Sequence, residues 1–164
     1  MAKISSPQEL FVHKLGAALT MEKTTLEMLE ELQREAHDST LQQNLKKHHR
    51  ETQQQIQNLE QVFSALGQSP SEEPCPTIDG LQKEGKQNIK EVEDHLVDYV
   101  ILGGVVETEA HEAAVYDGLI SSAETFGEDD IVALLQENLE QEQNVLQQAR
   151  REKKRVAQSK LARV

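Results

Sequence analysis

Residues 99–119 read "YVILGGVVETEAHEAAVYDGL", and the way this stretch is buried decides the fold. Val97, Val100/Ile101, Val105, Thr108, Glu112, Val115 and Leu119 recur at spacings of three and four, the signature of one buried helix face. That face contains Glu112. Glu109 lies one turn earlier, near its edge, Glu107 faces solvent, and His111 points about 100° away from Glu112. A carboxylate left unpaired in a core costs several kcal/mol or gives up its charge. Glu112 therefore needs partners on other helices.

The same rhythm runs through the rest of the chain. Ser6-Pro7-Gln8-Glu9 is a capping box with proline at the first helical position. Behind it Phe11, Leu15, Ala18, Glu22, Thr25/Leu26, Leu29 and Leu32 form a stripe expected to stop near Ala36-His37. Asp38 or Ser39 opens the second helix, with Leu41, Leu45, His48, Thr52, Gln55/Ile56, Leu59, Val62/Phe63 and Leu66 inward and Gly67 as its stop signal. Residues 67–77, "GQSPSEEPCPT", hold three prolines and read as loop. A shorter helix interrupted at Gly85 is expected over 78–90, then a long one over 92–126 ending at Gly127. The last starts after Glu128, at Asp129 or Asp130. It carries Ile131, Leu134/Leu135, Leu139, Glu142, Val145/Leu146 and Ala149 inward and runs to about residue 160. Residues 1–164 thus predict one all-α domain, a four-helix bundle with tight turns within each hairpin and a long connection, containing a short helix, between helices 2 and 3. A ferritin-like bundle needs that long connection, because its third helix starts back at the other end.

Composition bounds the function. No stretch approaches the roughly 20 apolar residues of a membrane span, and the N-terminus lacks the apolar segment of a signal peptide. Cys75 is the single cysteine, so no internal disulfide forms and a cytoplasmic location is expected. The net charge is −12, unevenly spread. Residues 150–164 carry seven Lys and Arg against Glu152, a local +6, which leaves −18 on residues 1–149. An acidic body with five aromatic residues and no Trp argues against nucleic acid as the main ligand. The basic C-terminal tail first suits the helix macrodipole, with contact to DNA, an acidic lipid surface or a docking partner as the alternative.

Glu22 and Glu142 stand where hydrophobes are due, as Glu112 does. Helix 2 offers His48 on its stripe and Glu51 on its flank. Counting from the turns near 38 and 128, Glu22 faces the level of residue 53 on helix 2, and Glu142 faces the level of residue 114, near Glu112. Each helix so contributes a polar group to one layer. Inward carboxylates at one height repel one another, and cations such as Fe or Mn, which accept oxygen-rich sites, relieve both the repulsion and the desolvation. Acid-rich helices also place carboxylates inward by chance, paired or reaching to water, and that reading stays open. Tyr116, one turn after Glu112, can hydrogen-bond a ligand carboxylate or be plain core. The mid-helix pair Gly103-Gly104 suits a close helix approach or a bend. Cys75 has no partner arranged for nucleophilic chemistry.

These segments resemble the YciE/YciF-like family of ferritin-like bacterial stress proteins. The resemblance is carried by "ELFVHKLGAALTMEKTTLEML", "HHRETQQQIQNLEQVFSALGQSP", "CPTIDGLQKEGK", and "VETEAHEAAVYDGLISSAETFG" followed by "LLQENLEQEQ". It implies a dimer-prone bundle holding a dinuclear iron or manganese centre, with a stress-related role. The implied acidic ligands fall on Glu22, Glu51, Glu112 and Glu142, with Glu109 as auxiliary. Two departures lie at this site. Gln55 stands where the family often has His, and Leu146 stands where it often has a further Asp or His. Gln55 can coordinate weakly through its carbonyl oxygen and His48 can supply nitrogen, which leaves an oxygen-rich, nitrogen-poor site, mononuclear or weak. Two functions follow: a metal centre with oxygen- or peroxide-linked redox activity, or a degenerate member acting as a structural or partner-binding stress protein.

Overall fold

A computed structural model describes residues 3–160. Its α-helices are α1 (Pro7–Glu35), α2 (Ser39–Ala65), α3 (Pro76–Glu91), α4 (Val97–Phe126) and α5 (Asp129–Lys160). A single 3-10 turn, Asp94–Leu96, precedes α4. No helix among the described residues is long and apolar enough to cross a membrane.

The helix ends follow their local chemistry. Ser6 caps α1 by accepting from the Glu9 backbone N–H at 3.1 Å. The Glu9 carboxylate makes its strongest contact beyond the expected box on Ser6. It reaches one residue further back, accepting from the Ser5 backbone N–H at 2.7 Å. Asp38 caps α2 through the Leu41 N–H. Gly127 terminates α4 in the left-handed region, φ 73°, where a Cβ is costly. Two boundaries and one expected interruption differ from the sequence expectation. Helix α3 starts at Pro76, which fills the first helical turn where no N–H is needed. It also runs straight through Gly85. Helix α4 starts at Val97 because Val92 is extended, φ −110° and ψ 156°, and breaks the chain between α3 and α4. The break places Asp98 under the α1–α2 turn, where its carboxylate accepts from the His37 N–H at 2.8 Å.

Helix α1 packs on α2 and α4, and α5 packs on α4 and α2, so the four long helices enclose one interior. Helix α3 lies outside, against α1 and α4. The interior contains two apolar clusters. One joins Phe11, Leu15 and Leu19 to Leu59, Phe63, Leu119, Ile131 and Leu135. The other joins Leu29 to Leu41, Leu45, Ile101, Leu102, Ala149 and Val156. Each fully buried Leu or Phe contributes roughly 1.5–3 kcal/mol. Along every long helix the change from one cluster to the other falls at a set of buried polar residues.

The connection between α2 and α3 is held closely. A Cβ on Gly16 would lie 2.7 Å from the Ser71 carbonyl oxygen and 2.8 Å from Glu73 Cγ, so the proline-rich segment rests directly on α1. Gly103 faces the end of the Lys153 side chain, and nothing lies within 4 Å of a Cβ on Gly104. Helix α4 does not break there. The basic segment of α5 is folded as far as described: Val156 is core, Lys153 sits 5.3 Å from the Tyr99 ring centroid, and Arg155 reaches Asp38 at 3.8 Å. Arg163 lies outside the described residues.

Candidate metal centre

The polar belt between the clusters comprises Glu22 and Thr25 of α1, His48, Thr52 and Gln55 of α2, Thr108, Glu109 and Glu112 of α4, and Glu142 of α5, all buried. One ligand atom from each of His48, Glu109, Glu112 and Glu142 falls within 4.8 Å of the others. His48 Nε2 stands 2.9 Å from Glu109 Oε1. Thr25 donates its hydroxyl to Glu112 Oε1, and Tyr116 donates to Glu22 Oε1. The remaining oxygens, Glu22 Oε2, Glu109 Oε2, Glu112 Oε2 and both of Glu142, have no donor. Neither polar atom of the Gln55 side chain has a partner either. Buried acceptors are nearly always satisfied. So many carboxylate oxygens facing one another without donors fit a cation in their midst.

A second set of polar residues buttresses the belt. Asn138 of α5 donates to the Tyr116 hydroxyl at 3.0 Å and to the Gln55 backbone carbonyl at 3.2 Å. It accepts from Asn58 at 2.8 Å. Tyr116 is thus oriented from behind, and its proton is committed to Glu22.

The chain matches, over residues 6–162, the family described as a domain of unknown function, DUF892. It belongs to that family. Among its curated relatives, protein YciF of Escherichia coli (strain K12) is 28% identical over 137 residues, 82% of each chain. A solved structure from Rhodopseudomonas palustris, YcfI, described as a candidate structural protein, is 36% identical with TM-score 0.88, covering 90% of this chain and 95% of that one. The structure described as the E. coli stress protein YciF superposes with TM-score 0.89 at 24% identity, covering 94% and 99%. The YciF-like resemblance seen in the sequence is therefore shown.

In this DUF892 protein the belt divides its charge unevenly. Burial pushes the Glu22 carboxyl up to about 8, against the pull of the Tyr116 hydrogen bond. Burial, reinforced by neighbouring carboxylates, holds Glu112 and Glu142 well above the usual carboxylate range. Burial acts the same way on Glu109 and is its largest single influence, but the facing His48 and a hydrogen bond with Glu142 together outweigh it, and Glu109 ends below its ordinary value. His48 ends above its own: burial opposes its charge, and Glu109 prevails. Without a cation, the belt favours charge on the His48–Glu109 pair and disfavours it on Glu22, Glu112 and Glu142. The Glu142 carboxyl, when protonated, adds a hydrogen bond toward Glu109 and Glu112 beyond those from His48 and Thr25.

Of the residues singled out in the sequence, Glu109, Glu112, Glu142 and His48 are brought together, and Glu22 adjoins them through its charge interactions with Glu109 and His48. Tyr116 bonds Glu22, and Gln55 is buried in the belt. Glu51 stands apart at the edge of α2. Its side chain is 22% exposed, and one oxygen is held by Lys47 at 2.6 Å. His111 lines a groove of about 660 Å³ between α1 and α4, facing away from the belt. Asn58, Asn138 and Thr52 were not singled out as functional. Asn138 carried a signal, because Leu135, Asn138 and Glu142 continue the three-and-four spacing of the α5 stripe.

Proposed function

We propose that this YciF-like protein is a ferritin-like, stress-related metal-binding protein whose bundle core holds a divalent Fe or Mn ion through His48, Glu109, Glu112 and Glu142. The observation that carries this is the convergence of those four ligand atoms within 4.8 Å while the carboxylate oxygens around them lack donors. Glu22 and Gln55 supply further oxygen donors, and Tyr116 and Thr25 hold carboxylates in place.

One ion per chain suits these residues better than two. Di-iron and di-manganese bundles take Glu-x-x-His from each of two helices. At the inward positions this chain has Thr52-x-x-Gln55 on α2 and Glu142-x-x-Val145 on α5, with Val145 packed into the second apolar cluster. His48, one turn earlier on α2, is the single nitrogen donor. The bound ion supplies Lewis acidity and, for Fe or Mn, a redox centre. The protein neutralises and orients it and walls it off from water with the two apolar clusters.

The stress-related role rests on the likeness to YciF of E. coli, which is known as a stress protein. A cytoplasmic location rests on the single cysteine. A homodimer rests on the family resemblance and on the half-exposed Leu10 beside the α1–α4 groove.

The test is metal analysis after purification without chelator, compared with a Glu22→Ala/Glu112→Ala double variant. The expected result is about one equivalent of Fe or Mn in the parent, lost in the variant. Equal, negligible metal in both, even after reconstitution, leaves the degenerate structural role as the function.

A further inference from the structure

His48 has two faces. Its Nε2 meets Glu109 inside the belt at 2.9 Å, while its Nδ1 turns outward to Glu51 Oε2 at 4.0 Å. The ring is almost fully buried, and both outward atoms, His48 Nδ1 and Glu51 Oε2, are buried without a hydrogen-bond partner. Lys47 occupies only the other Glu51 oxygen. A small cavity of about 20 Å³, half of its lining apolar and the polar half including Asn44, Lys47, His48, Glu51 and Glu152, opens at this point on the seam between α2 and α5. A second opening that reaches the belt, about 40 Å³ under α3, is lined mostly by apolar residues, with Thr25 and Thr108 beside Glu109 as polar groups. A cation crossing that side would shed its water without replacement ligands. At Glu51 and His48 it exchanges water for a carboxylate oxygen and then an imidazole nitrogen, whose proton leaves to solvent as the ion binds.

We propose that Glu51 and the outer nitrogen of His48 form an uptake site for a divalent cation, through which the ion passes to Glu109, Glu112 and Glu142. This rests on the metal function proposed above and gives Glu51 a separate role: it captures the ion on its way in and does not hold it at rest. The Lys47 ion pair limits the rate, because its charge opposes an approaching cation and competes for Glu51.

A residue on the path changes association and dissociation together, whereas a ligand of the resident ion changes affinity. The experiment follows Mn(II) uptake by rapid mixing, with a fluorescent chelator reporting free metal, and Mn(II) release on excess chelator. Glu51→Gln is expected to slow both by about tenfold, in the range of electrostatic steering effects, with the dissociation constant held within about twofold. Lys47→Ala is expected to speed both. Glu107→Gln, the same charge change at an exposed position on α4, is expected to alter neither. Uptake by Glu51→Gln at the parental rate overturns the uptake site while leaving the metal centre standing. Faster release with unchanged uptake also overturns it and makes Glu51 a resident ligand. A parent that takes up no Mn(II) overturns both the uptake site and the metal function.

Discussion

The Asn138 amide donates to the Tyr116 hydroxyl at 3.0 Å, and this bond sets the direction of the hydrogen bonds leading to Glu22. The Asn138 oxygen is already taken by Asn58, so its nitrogen must face the phenol. The phenol oxygen therefore accepts, and its proton goes to Glu22. Asn138→Leu removes the donor to Tyr116 and leaves the buried Asn58 amide without its acceptor. Each unsatisfied buried group costs about 1–3 kcal/mol, so urea unfolding should show a loss of roughly 2–4 kcal/mol. A loss below ~0.5 kcal/mol would show that the network contributes nothing to stability.

The metal-free protein should be more stable near pH 5 than near pH 8. Glu22, Glu112 and Glu142 are raised by burial, so the stability they confer is present at acid pH and is lost as pH rises through their folded values, about 8 for Glu22. His48 is also raised and acts in the same direction. Glu109 is lowered, so its share is lost only at acidity below its ordinary range. Each ~1 kcal/mol moves Tm by about 2–4 °C for a chain of this size, and calorimetry of the chelator-treated protein at the two pH values should resolve the difference. Saturating Mn(II) should shrink or reverse it, because carboxylates must be deprotonated to bind metal. Equal melting of the apo protein at both pH values would contradict the charge distribution described here.

Glu112→Gln separates stability from function. It removes a buried acid that must stay protonated and keeps the shape, so the apo protein at pH 8 should gain about 1–3 kcal/mol, the scale on which buried ionic groups give way to neutral ones. The same change should weaken Mn(II) binding by at least about tenfold, measured by titration on the same preparation. Loss of stability at pH 8 would mean that Glu112 is held as a satisfied carboxylate.

Two glycines should respond in opposite ways. Gly16→Ala drives a methyl into the Ser71 carbonyl and the Glu73 side chain, and should cost about 1–3 kcal/mol as an overpacked contact. Gly104→Ala meets nothing within 4 Å in mid-helix and should add about 0.5–1 kcal/mol. Thermal melting of the two variants side by side checks both.

Much of this was legible in the sequence, for physical reasons that differ by element. The helices announce themselves through caps and periodicity: Ser6, Asp38 and Gly127 stand where the chain turns. The acidic belt was visible because Glu22, Glu112 and Glu142 interrupt apolar stripes. Less legible was the height of α2. Counting from the turn matched Glu22 to residue 53, whereas the α2 residue that feels its charge is His48, about one turn earlier. The start of α4 is hidden because residues 92–96 are helix-compatible in composition, yet Val92 and Glu93 are extended and a 3-10 turn follows them. Asn138 and Asn58 went unnoticed because amides on a glutamine-rich surface look solvated until their helices are brought together.

The central claim is that the belt holds one divalent ion, and titration of the metal-free protein with Mn(II), read by electron paramagnetic resonance of the free ion, tests it most directly. The account predicts one bound ion per chain in the parent, abolished in a Glu112→Gln/Glu142→Gln double variant that still melts cooperatively. An equal Mn(II) uptake by parent and variant, or none by either, would contradict it.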